Sequence, residues 1–94
     1  MKTEKQIVAE IGKLKTIKPT VRRSSFFGDD HHEAIDFQIR VLENGFDESD
    51  IYNEIEENNL ALNVADAGLE AQQWRDGEEE EDFVPSESWE ELVL

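Results

Sequence analysis

The sequence predicts an all-α protein: a compact domain of three to four helices over residues 1–77, followed by an acidic-aromatic C-terminal extension over 78–94. Two observations carry that expectation. Apolar residues recur at helical spacing in separate stretches, and those stretches are bracketed by helix start and stop signals. The length, 94 residues, suits one domain. An α/β variant with a short strand near Val21 or Leu60 is the alternative.

The organising stretch is 26–46, FFGDDHHEAIDFQIRVLENGF. Asp30 is suited to cap a helix, because its carboxylate accepts from backbone N–H groups left free in the first turn. Glu33 stands where a capping box places its acid, and Gly28 allows a sharp entry. Asp29, Asp30 and Glu33 set negative charge at the positive end of the helix dipole. Asn44-Gly45 is the stop signal, since glycine takes the left-handed conformation without a Cβ penalty. The predicted helix is 31–43. Ala34, Ile35, Phe37, Ile39, Val41 and Leu42 cover about 200° of its circumference at 100° per residue. That is wider than the stripe of a surface helix, so this helix is placed at the centre of the fold. Asp36 and Arg40, four apart, are expected to pair on its exposed strip.

Before it, Thr3-Glu4-Lys5-Gln6 reads as a capping box. Ile7, Val8, Ile11 and Leu14 then define a basic helix over 4–15, weakened slightly by Gly12. Pro19 is expected to end it by excluding its predecessor from the helical region. A connection follows, with a short extended piece at Val21-Arg22-Arg23 and Phe26-Phe27 as its anchor. After Gly45, Asp47 with Asp50 at N3 starts an acidic helix over 48–57, carrying Ile51, Tyr52 and Ile55 and ending at Asn58-Asn59. Leu60, Val64, Ala67, Ala71 and Trp74 place a further helix at 62–76, closed by Gly77. Its small residues Ala67, Gly68 and Ala71 predict close approach to a neighbour. Five acids, Glu78, Glu79, Glu80, Glu81 and Asp82, should be extended and solvated. Ser86 can cap a last short turn over 87–93. Phe83 and Trp89 either fold back on the core or belong to a docking tail.

Charge is distributed unevenly. Residues 1–23 hold seven Lys/Arg against two Glu, net +5, whereas 24–94 hold two against twenty-two Asp/Glu, net −20. The basic head is expected to pair with the acidic body rather than to bind nucleic acid. An acidic surface repels phosphates and anionic lipids and attracts basic protein surfaces. With no cysteine there is neither a disulfide framework nor thiolate chemistry. No apolar run reaches the length of a membrane span and no signal-peptide core is visible, so a cytoplasmic location is expected.

Chemical motifs are sparse. In Asp29-Asp30-His31-His32-Glu33 the adjacent histidines point about 100° apart on a helix and do not readily share an ion. HExxH, paired CxxC and EF-hand spacings are missing. A metal-dependent hydrolase centred on 29–36 is therefore set aside, and neither enzymatic activity nor a cofactor is predicted. What remains is a carboxylate surface, with Glu48, Asp50, Glu54, Glu56, Glu57, Asp66, Glu70 and 78–82 as candidate partner-binding residues. Acids at i, i+3 and i+4 lie about 5–6 Å apart, and duplex DNA carries a charge per about 1.7 Å of axis.

In size, acidity and lack of cysteine the chain resembles the small inhibitors that phages and mobile elements make against restriction or CRISPR systems. The stretch VRRSSFFGDDHHEAIDFQIRVLENGFDESDIYNEI is similar to small phage or prophage proteins. The resemblance is compositional and assigns no residue a role. It implies an acidic protein-binding inhibitor, a DNA mimic in its sharpest form, acting on the basic surface of a nucleic-acid-binding partner. The alternative is an antitoxin-like accessory protein whose acidic tail covers a basic partner. A homodimer is also expected. The Phe37/Val41 side of the central helix and the Ala67/Gly68/Ala71 face offer more apolar surface than one small core needs, and the basic head can reach a neighbour's acidic body.

Overall fold

The computed structural model describes residues 1–23, 30–77 and 84–94. Helix α1 spans Glu4–Ile17, α2 Asp30–Asn44, α3 Glu48–Asn58 and α4 Leu62–Asp76, with 3₁₀ segments at Lys18–Thr20 and Glu87–Leu92. The protein is all-α. Its one β feature among the described residues is an isolated antiparallel bridge between Val21 and Val93.

The local signals act as read. Thr3 and Gln6 form a reciprocal capping box at α1, and Asp47 and Asp50 form another at α3. Asn59 ends α3 in the left-handed region at φ 53°, and Gly77 ends α4 at φ 71°. Phe26, Phe27, Gly28 and Asp29 lie outside the described part of the chain, and Asp30, expected as the cap before a helix starting at 31, is instead the first residue of α2. Pro19 behaves differently from expectation. Helix α1 continues to Ile17, and Lys18 stays helical at φ −47°, ψ −50°. The chain absorbs the proline by tightening into a 3₁₀ turn, where an early proline's missing N–H is no loss. The Thr20 hydroxyl donates to the Ile17 carbonyl at 2.6 Å, and Val21 N–H donates to the Lys18 carbonyl at 3.2 Å.

Helix α2 is the centre. All six of its predicted apolar residues are buried. Helix α4 packs along one side of it and α1 along another, while α3 packs on α4. The closest approach is at Gly68, where an added Cβ would stand 2.3 Å from the Phe37 ring. The Phe37/Val41 side and the small-residue face of α4 therefore cover each other, and the apolar excess expected to drive dimerisation is consumed within one chain. The Asp36–Arg40 pair is also replaced. Asp36 takes Lys18 at 2.8 Å and Arg40 takes Glu54 at 3.2 Å. Each long side chain reaches a neighbouring element instead of bridging one turn of its own helix.

Residues 84–94 pack on the helical body, so an acidic C-terminal extension is not seen among the described residues. Trp89 Nε1–H donates to Gln38 Oε1 at 2.7 Å, Ser86 N–H to Glu10 Oε1 at 2.7 Å, and Arg22 N–H to the Leu92 carbonyl at 2.8 Å. Residues 78–83, Phe83 included, lie outside the described residues.

Candidate functional site

The candidate surface is built on α3 and the outward ridge of α4. Ile51 is buried and Ile55 half-buried, which turns the other side of α3 to solvent. Glu48, Asp50, Tyr52, Glu56 and Glu57 are exposed there, and no basic residue stands on the helix. On α4, burial of Val64, Ala67, Gly68 and Ala71 leaves Asp66 and Glu70 exposed on the opposite ridge.

Not all predicted acids are equally available. Asp50 accepts the Asp47 N–H at 3.3 Å and belongs to the α3 cap. Glu54 is half-buried and holds both Arg40 and the Asn58 amide, the latter at 2.9 Å. These two carboxylates are fixed by the fold. Glu48, Glu56, Glu57 and Asp66 form the outward set, Glu70 is exposed but already engaged within the chain, and Glu78, Glu79, Glu80, Glu81 and Asp82 lie outside the described residues.

The structure adds a feature that no single stretch of sequence contains. Between the start of α3 and the last turns of α4 lies a cleft of about 320 Å³, lined by Phe46, Asp47, Glu48, Leu69, Gln72, Gln73 and Asp76. Buried Gln72 holds its shape, accepting the Phe46 N–H at 2.7 Å and donating to Asp76 Oδ2 at 2.8 Å. Phe46 and Leu69 offer apolar walls beside three carboxylates. Such a cleft suits the stem and head of a Lys or Arg side chain, whose methylenes seek apolar cover while the charge seeks oxygen. Glu48 was read from the sequence, but Asp47 and Asp76 were missed. Asp47 caps α3, its Oδ1 accepting the Asp50 N–H at 2.8 Å, as well as lining the cleft, and Asp76 joins the site only once α4 packs beside α3.

The Asp29–Glu33 cluster has a structural role where it is described. His31 Nδ1–H donates to the Arg22 carbonyl at 2.8 Å and His32 Nε2–H to the Val21 carbonyl at 3.1 Å. Together they pin the segment leaving α1. The His31 ring also lies 5.9 Å from the Trp89 ring. Among the described residues, no group of three or more His, Asp or Glu could hold a metal ion, and no helix is long and apolar enough to cross a membrane.

Comparison of the chain with protein-family models, with curated proteins and with solved structures finds no match.

Proposed function

We propose that this protein is a binding module that docks a basic protein surface through the carboxylates of α3 and α4 and so inhibits a nucleic-acid-binding partner. In its sharpest form the proposal is a DNA mimic made by a phage or mobile element against a restriction or CRISPR complex. The observation that carries it is the α3–α4 cleft. Asp47, Glu48 and Asp76 surround a slot with apolar walls, and Glu56 and Glu57 extend the negative charge along the same helix. A partner lysine or arginine seated in the slot would be held by both its stem and its charge. The remaining acids supply the screened, longer-range attraction that steers basic surfaces. The alternative is an antitoxin-like accessory protein whose acidic tail covers a basic partner; residues 84–94 pack on the body, and the acids of 78–82 lie outside the described residues.

The test is the affinity of a captured partner at two salt concentrations, for the wild type and for a variant carrying Glu48→Gln, Glu56→Gln and Glu57→Gln. Glu54 and Asp50 are left intact because they hold the fold. Exposed charge pairs are screened over about 8 Å at physiological ionic strength. Affinity should therefore fall clearly with salt, the variant should bind about tenfold more weakly, and duplex DNA should compete for the partner. Binding indifferent to salt and to the three substitutions would remove the carboxylate surface from the mechanism.

A further inference from the structure

The surface of α1 that faces away from the core carries small and basic side chains. Lys5, Ala9, Gly12 and Thr16 fall within about 60° of one another around this helix, opposite the buried Ile7, Glu10 and Leu14. Val8 beside them is 60% exposed. Ala9, Gly12, Thr16, Ile17 and Val93 line an open groove of about 640 Å³, with Lys13 on its rim. The Thr16 hydroxyl already donates to the Gly12 carbonyl at 2.9 Å, so that hydroxyl asks for no outside partner. Gly12 is the telling residue. It has no left-handed backbone, and an added Cβ would meet nothing within 4 Å. A glycine inside a helix costs about 1 kcal/mol relative to alanine, and nothing among the described residues calls for it.

The groove's charge selects what can cover it. Lys5, Lys13 and Lys15 stand on or beside this face and form no ion pair among the described residues. The chain carries a counterpart on α3. There Tyr52 is 52% exposed, with Glu48 and Glu56 four residues to either side. Lys5, Ala9 and Lys13 have the same i, i+4, i+8 spacing as Glu48, Tyr52 and Glu56, about 12 Å from end to end. Helices commonly pack by laying such i±4n ridges into each other's grooves. With the axes antiparallel, Tyr52 would enter over Ala9 and Gly12 while Glu48 and Glu56 meet Lys13 and Lys5.

We infer that the α1 groove is occupied by the Tyr52 face of a second copy of this chain. Within one chain the two faces cannot meet, because each is the side its helix turns away from the shared α2–α4 core. Pairing α1 with another α1 would oppose lysine to lysine, and a nucleic acid would have to approach a protein of net charge −15. The contact is heterologous: each copy offers one groove and one Tyr52 face, so successive copies join head to tail. The net charge opposes assembly at long range and keeps it weak. At physiological salt that repulsion is largely screened beyond about 8 Å, whereas the contacting pairs, closer than that length, are screened less. The inference does not depend on the partner-binding proposal, although Glu48 and Glu56 serve both, so a copy engaged head to tail hides part of the acidic face.

Sedimentation of the full chain at physiological salt tests the contact. The average mass of the wild type should rise with protein concentration beyond that of a monomer. Gly12→Leu fills the groove floor at an exposed helical site, and Tyr52→Ala removes the knob; neither side chain belongs to the core. Each should weaken association about tenfold or more. An equimolar mixture of the two variants should form a dimer that grows no further, because one intact groove and one intact Tyr52 face remain between them. A wild type that stays monomeric at millimolar concentration overturns the inference. So does association that either variant leaves unchanged, or a mixture that fails to pair. Gly12→Leu leaves α3 untouched, so loss of self-association in that variant is distinguishable from loss of the acidic partner surface.

Discussion

Gly68 and Gly12 are both helical glycines, and the structure predicts opposite outcomes for the same substitution. Gly68→Ala places a methyl 2.3 Å from Phe37 Cε2 and 2.6 Å from Cδ2. Phe37 is only 3% exposed, and its ring also packs against Phe46 at 6.2 Å. The ring must move by roughly an ångström inside a close-packed layer, which costs about 1–3 kcal/mol. The upper end applies because the clash is with the body of the ring and not with the tip of a flexible chain. Alanine's better helix propensity returns about 1 kcal/mol, leaving a net loss of about 2 kcal/mol. For a chain of this size that lowers the melting temperature by about 8–16 °C. Gly12→Ala meets no atom and keeps the propensity gain, so it should raise stability by about 0.5–1 kcal/mol. Urea denaturation followed by circular dichroism, at a dilution where only monomer is present, compares the two directly. If Gly68→Ala proves neutral or stabilising like Gly12→Ala, Phe37 is not seated on Gly68 and the α2–α4 packing described above is wrong.

Trp89→Phe keeps most of the ring but leaves the Oε1 of fully buried Gln38 without its donor. It should cost about 1–3 kcal/mol, read as a lower urea midpoint. Deleting residues 84–94 removes that donor and also the Ser86 N–H that buried Glu10 accepts. It should cost at least about 3 kcal/mol, and an unchanged melting temperature would contradict the packing of this segment. Lost partner binding in such a truncation would therefore report lost folding as much as a lost tail. A double-mutant cycle on Asp36 and Arg40 should give a coupling near zero, whereas Lys18 and Asp36 should couple by about 0.2–1 kcal/mol, measured by denaturation of the single and double variants. Moderate sodium chloride should raise the melting temperature, because screening relieves the repulsion of a net charge of −15; a fall would mean that the Lys18 and Arg40 ion pairs outweigh it.

The features legible in the sequence are those decided by neighbours within a helical turn or two. The capping boxes at Thr3 and Asp47, the left-handed ends at Asn59 and Gly77, and the apolar arc of α2 each depend on residues close in sequence. The boundaries they gave agree with the structure to within two residues. The buried polar residues were less accessible. Gln38 lies inside the apolar arc of α2 when its angle is computed, so a signal existed, but only the fold supplies Trp89 and the Ala67 carbonyl as its partners. Glu10 likewise sits on the inner face of α1, and its partner is 76 positions away.

The acidic surface shows why composition alone could not define a site. Nine acids on α3, on α4 and at their termini look alike in sequence, yet the fold divides them. Asp50 and Glu54 are committed to a cap and to an ion pair, Asp47 and Asp76 line a cleft while also holding the α3 cap and Gln72, Glu56, Glu57 and Asp66 face outward, and exposed Glu70 is already engaged within the chain. Glu48 lines the cleft and also stands beside Tyr52. Neutralising acids in bulk would therefore confound loss of structure with loss of recognition. Substituting Glu57 probes the open face, substituting Glu56 probes that face and the Tyr52 edge, and substituting Glu48 probes the slot and the Tyr52 edge together. If the slot holds a partner's lysine or arginine, Glu48→Gln should weaken partner binding more than Glu57→Gln, because a charge beside apolar walls is less screened than one in open solvent. Equal effects from the two would reduce the cleft to a surface irregularity and leave the carboxylates acting only as a diffuse field.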